Sequence, residues 1–269
     1  MTQMRCKKKY LGISALIITS LLAFFLGCLF AKKHDAGKTA VGDAKVSEAT
    51  ISDAKTNDND PAVWMNPYAA SSPIYREFNE YRQWILNNKQ LTAASGTALP
   101  TDLLMLSGQL AAKGMPRLPA DVLEQRLSSL NKILPSLDTH MCSTLIKGGF
   151  NASEFTSQAA SVMNSFNADE AKAWFSVGRA AIEAQLDGSP LIVLPTEDAL
   201  RGILKISKSM HEPQSKDFIS GMAHLKTANE EDACATVRIL YSRGNSLPDP
   251  YRGYMARMLL TGTKGNEKL

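Results

Sequence analysis

The chain has 269 residues, of which 44% are hydrophobic and 21% charged, and its formal net charge is +4. Six of its 30 Lys/Arg residues and none of its 26 Asp/Glu residues lie within positions 1–34, so the remainder has a net charge of −2. A protein that binds nucleic acid needs clustered Lys/Arg to neutralise phosphates, and no such cluster follows Lys33. We therefore exclude a nucleic-acid partner.

Residues 10–31 form an uncharged, mostly apolar stretch, YLGISALIITSLLAFFLGCLFA. A helix of this length spans roughly 33 Å, which matches the hydrocarbon core of a bilayer. Four Lys/Arg precede the stretch and two follow it, so the positive-inside rule places residues 1–9 in the cytoplasm and the remainder outside it. We predict a transmembrane signal-anchor helix in the inner (cytoplasmic) membrane, with the lipid bilayer as the first partner.

The end of the apolar stretch leaves two other outcomes open. The sequence Phe25-Leu-Gly-Cys28 partly matches the lipobox of bacterial lipoproteins, in which the cysteine is lipidated after cleavage. Phe25 stands where that motif prefers an aliphatic residue, so lipidation of Cys28 remains an alternative to an uncleaved helix. Cleavage and ordinary secretion are a third outcome, although Leu29 places a bulky residue three positions before the obvious cleavage site.

The rest of the chain divides into a polar segment and a helical body. Residues 32–60 contain no aromatic residue and few large apolar ones, which predicts a disordered stalk. From residue 61 to 260, apolar residues recur at three- and four-residue spacing between Pro, Gly and Asn. This pattern predicts an all-α extracytoplasmic domain, built as an irregular multi-helix bundle or array, and a disordered tail at 261–269. The only β-like run, 191–194, is expected to be a buried connector.

Three helix starts follow one capping pattern. Asn151 and Asn167 are each followed three residues later by Glu, so the Asn side chain can cap the first turn while the Glu returns a bond to the backbone of the cap. Asn151 also begins a glycosylation sequon, but the cap explains the same residues. Thr227 with Glu230 predicts a third capping box.

Cys142 and Cys234 are the two cysteines that follow the apolar stretch. In a chain exported from the cytoplasm, such a pair predicts one disulfide. The bond would close a loop of about 90 residues, for which the chain-entropy model gives roughly 4–5 kcal/mol. Two buried free thiols are the alternative.

Known catalytic and metal-binding motifs are missing from the sequence. It contains no H-x-x-x-H, H-E-x-x-H or C-x-x-C and no glycine-rich phosphate loop, so we predict no metal, no cofactor and no named catalytic residue. The Ser129/Lys132 pair, with elements near Ser165 and Lys226, echoes penicillin-binding proteins. The last element lacks its glycine and lies outside any β-rich framework, so we rank this interpretation low.

Two aromatic and two basic side chains near the C-terminus, Tyr251, Arg252, Tyr254 and Arg257, are candidate partner contacts because Tyr and Arg are enriched at interface hot spots. The alternative is ordinary surface packing. We expect a protein that acts by protein–protein interaction with an unidentified protein partner, as an accessory or scaffold subunit of a cell-envelope assembly. A periplasmic hydrolase acting on the cell wall is the alternative function. It would need carboxylates brought together by the fold, for which the candidates are Glu183, Glu197 and Asp198.

Overall fold

The computed structural model describes residues 65–149 and 151–267. Within these residues the chain is helical throughout and forms no β-strand, so the predicted all-α class is confirmed. The eleven α-helices of the described residues are α1 (Pro73–Asn87), α2 (Lys89–Ser95), α3 (Pro100–Gly114), α4 (Ala120–Ile133), α5 (Thr139–Lys147), α6 (Ala152–Asn164), α7 (Ala168–Leu186), α8 (Thr196–Lys208), α9 (Gln214–His224), α10 (Glu230–Asn245) and α11 (Tyr251–Leu260).

The expected anchor at 10–31, the stalk at 32–60 and Cys28 lie outside the described residues. Among the residues that are described, no helix combines the length and the apolar character needed to cross a membrane. The anchor and its orientation therefore stay predictions.

Helices α4 and α7 lie at the centre of the bundle. The long helix α7 packs against α1, α3 and α4, and α4 also packs against α10 and α11. The outer helices α5 and α9 contact α10, while α8 contacts α11. Apolar side chains from these helices form one continuous core, which is the arrangement expected of an irregular bundle.

The close crossing of α3 and α7 depends on Gly114. A Cβ added there would lie 1.8 Å from the carbonyl oxygen of Ala181, so no other residue fits without moving a backbone. Gly178 lies on α7, three residues before Ala181. The nearest atom to a Cβ added at Gly178 is the Tyr81 hydroxyl oxygen at 3.4 Å. The two positions therefore differ sharply in the space that they offer a side chain.

Two of the three predicted caps are confirmed. The Asn151 side chain accepts from the backbone of Ser153 and Glu154, without the predicted return bond from the Glu154 side chain, and at Asn167 the complete capping box with Glu170 is present. The third prediction is wrong in its residue, because Asn229 caps α10. The chain is still turning off α9 at Thr227, whose hydroxyl and backbone N–H both donate to the His224 carbonyl.

The segment between α7 and α8 is a connector, as predicted, but the prediction that it is buried is wrong for three of its four apolar residues. Leu191, Ile192 and Val193 are 45%, 40% and 46% exposed. Leu194 is buried; its N–H donates to the Gly265 carbonyl at 2.8 Å, and its carbonyl accepts from the Glu267 N–H at 3.0 Å.

The prediction of a disordered tail from residue 261 is wrong for residues 261–266. Thr261 and Asn266 are buried, and the Asn266 amide donates to the Gly262 carbonyl at 2.7 Å. The polar side chains satisfy backbone groups that would otherwise need water, so a polar segment can be enclosed.

Helices α5 and α10 are joined by the predicted cysteine pair. Cys142 and Cys234 are buried with their sulfur atoms at disulfide-bonding distance, and their Cα atoms lie 5.3 Å apart. At the start of the same two helices, His140 Nδ1 lies 2.9 Å from Glu230 Oε1. This hydrogen bond raises the pKa of His140.

Candidate functional site

The exposed connector residues 191–193, called the 191–193 edge below, are held in place through the backbone of Ile192. The Ile192 N–H donates to the Pro116 carbonyl at 2.9 Å, and the Ile192 carbonyl accepts from Arg257 at 3.0 Å. The N–H and C=O groups of Leu191 and Val193 make no hydrogen bond within the described residues. The N–H and C=O groups of alternate residues therefore point inward and outward, as in an edge β-strand.

Arg257 fixes this edge from inside the protein. Its guanidinium donates to the carbonyls of Leu118 at 2.5 Å, Ile192 at 3.0 Å and Pro116 at 3.4 Å. The side chain is 5% exposed, and burial lowers its pKa. The predicted partner contact at Arg257 is therefore corrected to a structural role, because a side chain enclosed among three backbone carbonyls does not reach a surface.

Two further apolar side chains are exposed on α8, directly after the connector. Leu200 and Leu204 are 37% and 50% exposed, and their four-residue spacing places them on one face of the helix. The opposite side of α8 packs into the core through Ala199, Ile203 and Ile206. The stretch from 191 to 204 thus carries five exposed large apolar residues.

The other three predicted contact residues lie half-buried on α11. The rings of Tyr251 and Tyr254 meet edge to face at 6.0 Å. Arg252 donates to the Ser128 hydroxyl at 2.8 Å and lies 3.5 Å from the Glu124 carboxylate. Because Arg252 already has partners on α4, a role in binding stays a prediction for these three residues.

A groove of about 380 Å³ lies between α4, α7 and the start of α11. Lys132 pairs with Glu170 across it, and this hydrogen bond is the main reason that the pKa of Glu170 is lowered. The lining residues are Gln125, Ser128, Ser129, Lys132, Phe166, Asp169, Glu170, Ala173 and Arg252.

The groove contains the Ser129/Lys132 pair but does not join it as a nucleophile and a base. The Ser129 hydroxyl donates to the Gln125 carbonyl of its own helix at 3.1 Å, while Lys132 is paired with Glu170. A serine nucleophile needs its base within hydrogen-bonding reach, so the geometry gives no support to the penicillin-binding-protein interpretation.

The carboxylates named for a hydrolase lie outside this groove. Glu197 and Asp198 flank Arg201 at 3.6 and 3.0 Å, and Glu183 is exposed on α7. The groove carries Asp169 and Glu170 in their place. Among the described residues, no group of three or more His, Cys, Asp or Glu side chains could hold a metal ion.

Sequence reasoning missed a buried charge on α4. Arg126 lies inside the core, with its guanidinium 3.9 Å from the centre of the Trp174 ring and donating to the Trp174 carbonyl at 2.8 Å. Burial lowers the pKa of Arg126 to about 10. The available signal was its place between Leu123 and Leu130 on the apolar stripe of α4.

The exposure of the 191–193 edge was missed because a run of Leu, Ile and Val normally indicates burial. Exposure of such a run in a fixed conformation is a functional signal instead.

No protein-family model, curated protein or solved structure matches this chain.

Proposed function

We propose that this protein is a single-pass, membrane-anchored helical protein that works by binding another protein, as an accessory or scaffold subunit of a cell-envelope assembly. The 191–193 edge carries this proposal, because three consecutive large apolar residues are 40–46% exposed there. Contiguous exposed apolar surface of this kind marks interaction sites. The apolar stretch at 10–31 supports the anchored topology.

The rigidity of the edge supports binding. Ile192 is held through both its N–H and its carbonyl, and Leu194 likewise. Binding normally costs free energy to order loops at an interface. A connector that is already fixed avoids most of that cost, so a short surface can support a specific complex.

The test is in-cell photo-crosslinking of the full-length, membrane-anchored protein. A photoreactive residue replaces Ile192 on the edge, and a matched control replaces Gln83, which is exposed on α1. We expect a discrete adduct from position 192 and none of the same mass from position 83. Absence of an adduct at 192, or the same adducts at both positions, contradicts the proposal. Activity of a C-terminal reporter that works only in the cytoplasm contradicts the topology.

A wall hydrolase is the second candidate, and the groove favours it. Glu170 has a lowered pKa, and Glu124, which contacts the groove residue Arg252, has a pKa raised mainly by burial. Opposite shifts of two acids are a signature of paired acid and base roles. If this function holds, the full-length protein releases soluble fragments from purified cell wall and Glu124→Gln reduces that release. No release by the unmodified protein excludes it.

A further inference from the structure

We infer that the partner binds the 191–193 edge as an extended strand, hydrogen-bonded to the backbone of Leu191 and Val193. This inference rests on the proposed function and specifies the form of the bound segment. The N–H and C=O groups of these two residues are the ones without a partner among the described residues. Two residues separated by one are the repeat at which an antiparallel strand exchanges pairs of hydrogen bonds.

Backbone geometry distinguishes a strand from other occupants. A docking helix has its own backbone groups satisfied and would use only the apolar side chains of the edge. A strand uses those side chains and also hydrogen-bonds to the two N–H and two C=O groups of Leu191 and Val193. The edge is already one side of a small pairing, because Leu194 bridges Asn266 in parallel. An added strand would therefore extend an existing pattern.

The length of the bound segment is limited by prolines. Pro190 and Pro195 border the apolar run, and proline has no N–H to donate. Prolines at an edge also prevent uncontrolled edge-to-edge association. The site therefore fits a short segment, with about four residues in register.

Charges near the edge have both signs. Asp187 and Glu197 are exposed before and after it in the sequence, whereas Arg117 donates to the Ser189 carbonyl just before the run and Arg201 lies 3.6 Å from Glu197. Mixed charge of this kind does not select one sign in a partner. We therefore assign the occupant as an extended segment with apolar residues at alternate positions.

The experiment compares two substitutions at Val193 in the full-length protein carrying the photoreactive residue at 192. Val193→Pro removes one outward N–H and leaves the inward hydrogen bonds of Ile192 and Leu194 intact. Val193→Thr keeps the backbone and the branched shape and reduces only the apolar character. Strand addition predicts about a tenfold loss of the position-192 adduct in V193P, little change in V193T, and a crosslink mapped to a short segment with apolar residues at alternate positions.

Each result bears on a defined claim. If V193P retains the adduct while V193T loses it, side chains alone bind the partner and the strand inference is overturned. If the unsubstituted protein gives no adduct, the proposed function itself fails. Hydrogen exchange of the unsubstituted protein gives a second measurement that needs no variant. Amides of Leu191 and Val193 should exchange fast when unbound and become protected in the complex, and unchanged exchange there overturns the inference.

Discussion

Replacing Arg257 by methionine tests whether a buried arginine holds the connector in place. Methionine keeps most of the apolar volume of the side chain but leaves the carbonyls of Leu118, Ile192 and Pro116 without their donor. Hydrogen bonds to a charged group contribute about 1.5–3 kcal/mol each. The bonds to Leu118 and Ile192 are short enough to count fully, whereas the 3.4 Å contact with Pro116 is weak.

The expected loss in the free energy of unfolding is about 3 kcal/mol, because relief from burying the guanidinium offsets part of the two bonds. The measurement is urea unfolding of the full-length protein in a mild non-ionic detergent, followed by tryptophan fluorescence. The matched control is Arg252→Met on the same helix. Arg252 is one-third exposed, its contact with Glu124 is 3.5 Å, and its hydrogen bond to Ser128 is partly open to water, so we expect about 1–2 kcal/mol, less than for Arg257.

Arg257→Met should also loosen the 191–193 edge specifically. Hydrogen exchange at Ile192 should accelerate more than exchange in α7, which supplies none of the three carbonyls that Arg257 binds. If R257M costs no more than R252M, with equal denaturant slopes for both variants, then Arg257 does not organise this region and the structural role assigned to it is wrong.

Three further predictions concern stability. Gly114→Ala should lower the midpoint of thermal unfolding by several degrees through overpacking against α7, whereas Gly178→Ala should be nearly neutral, and equal effects would contradict the close crossing. Cys142 and Cys234 should resist thiol labelling until reductant is added, and reduction should cost roughly 4–5 kcal/mol for the 92-residue separation; free labelling without reductant would refute the bond. The Glu230 carboxylate on α10 raises the pKa of His140. The contribution of this pair to the free energy of unfolding is therefore full below the unfolded pKa of His140, about 6.5, and is lost as pH rises through the folded pKa. His140→Gln should therefore flatten the stability–pH curve between neutral and mildly acidic pH, and an NMR titration that finds the pKa of His140 unshifted would contradict this.

Features written locally in the sequence could be predicted. The Asn167 cap needs only its own first turn, and the pairing of Cys142 with Cys234 needs only two cysteines in the body of the chain. The burial of Arg257 could not be predicted, because the Pro116 and Ile192 carbonyls reach it from positions 141 and 65 residues away. The sequence around an arginine does not show whether its guanidinium donates to a partner protein or to the protein's own backbone.

The candidate site was missed for a related reason. Hydrophobic periodicity indicates which residues can be buried, but it carries no information about which apolar run the fold leaves uncovered. The exposure of Val193 depends on how α8 and the C-terminal segment pack around Leu194. That is a property of tertiary packing, whereas the α-helices themselves follow from local spacing and caps.

The bridge between Leu194 and Asn266 also sets an order of events during synthesis. Residues 265–267 must be synthesised before Leu194 can be fixed, whereas α1 to α7 can begin to pack earlier because domains start folding from the N-terminal side. The connector is therefore completed late, after α11 has been synthesised. A chain cut before Gly265 would keep the bonds of Ile192 to Pro116 and Arg257 but would lose both backbone bonds of Leu194, so the connector would be held at one point instead of two.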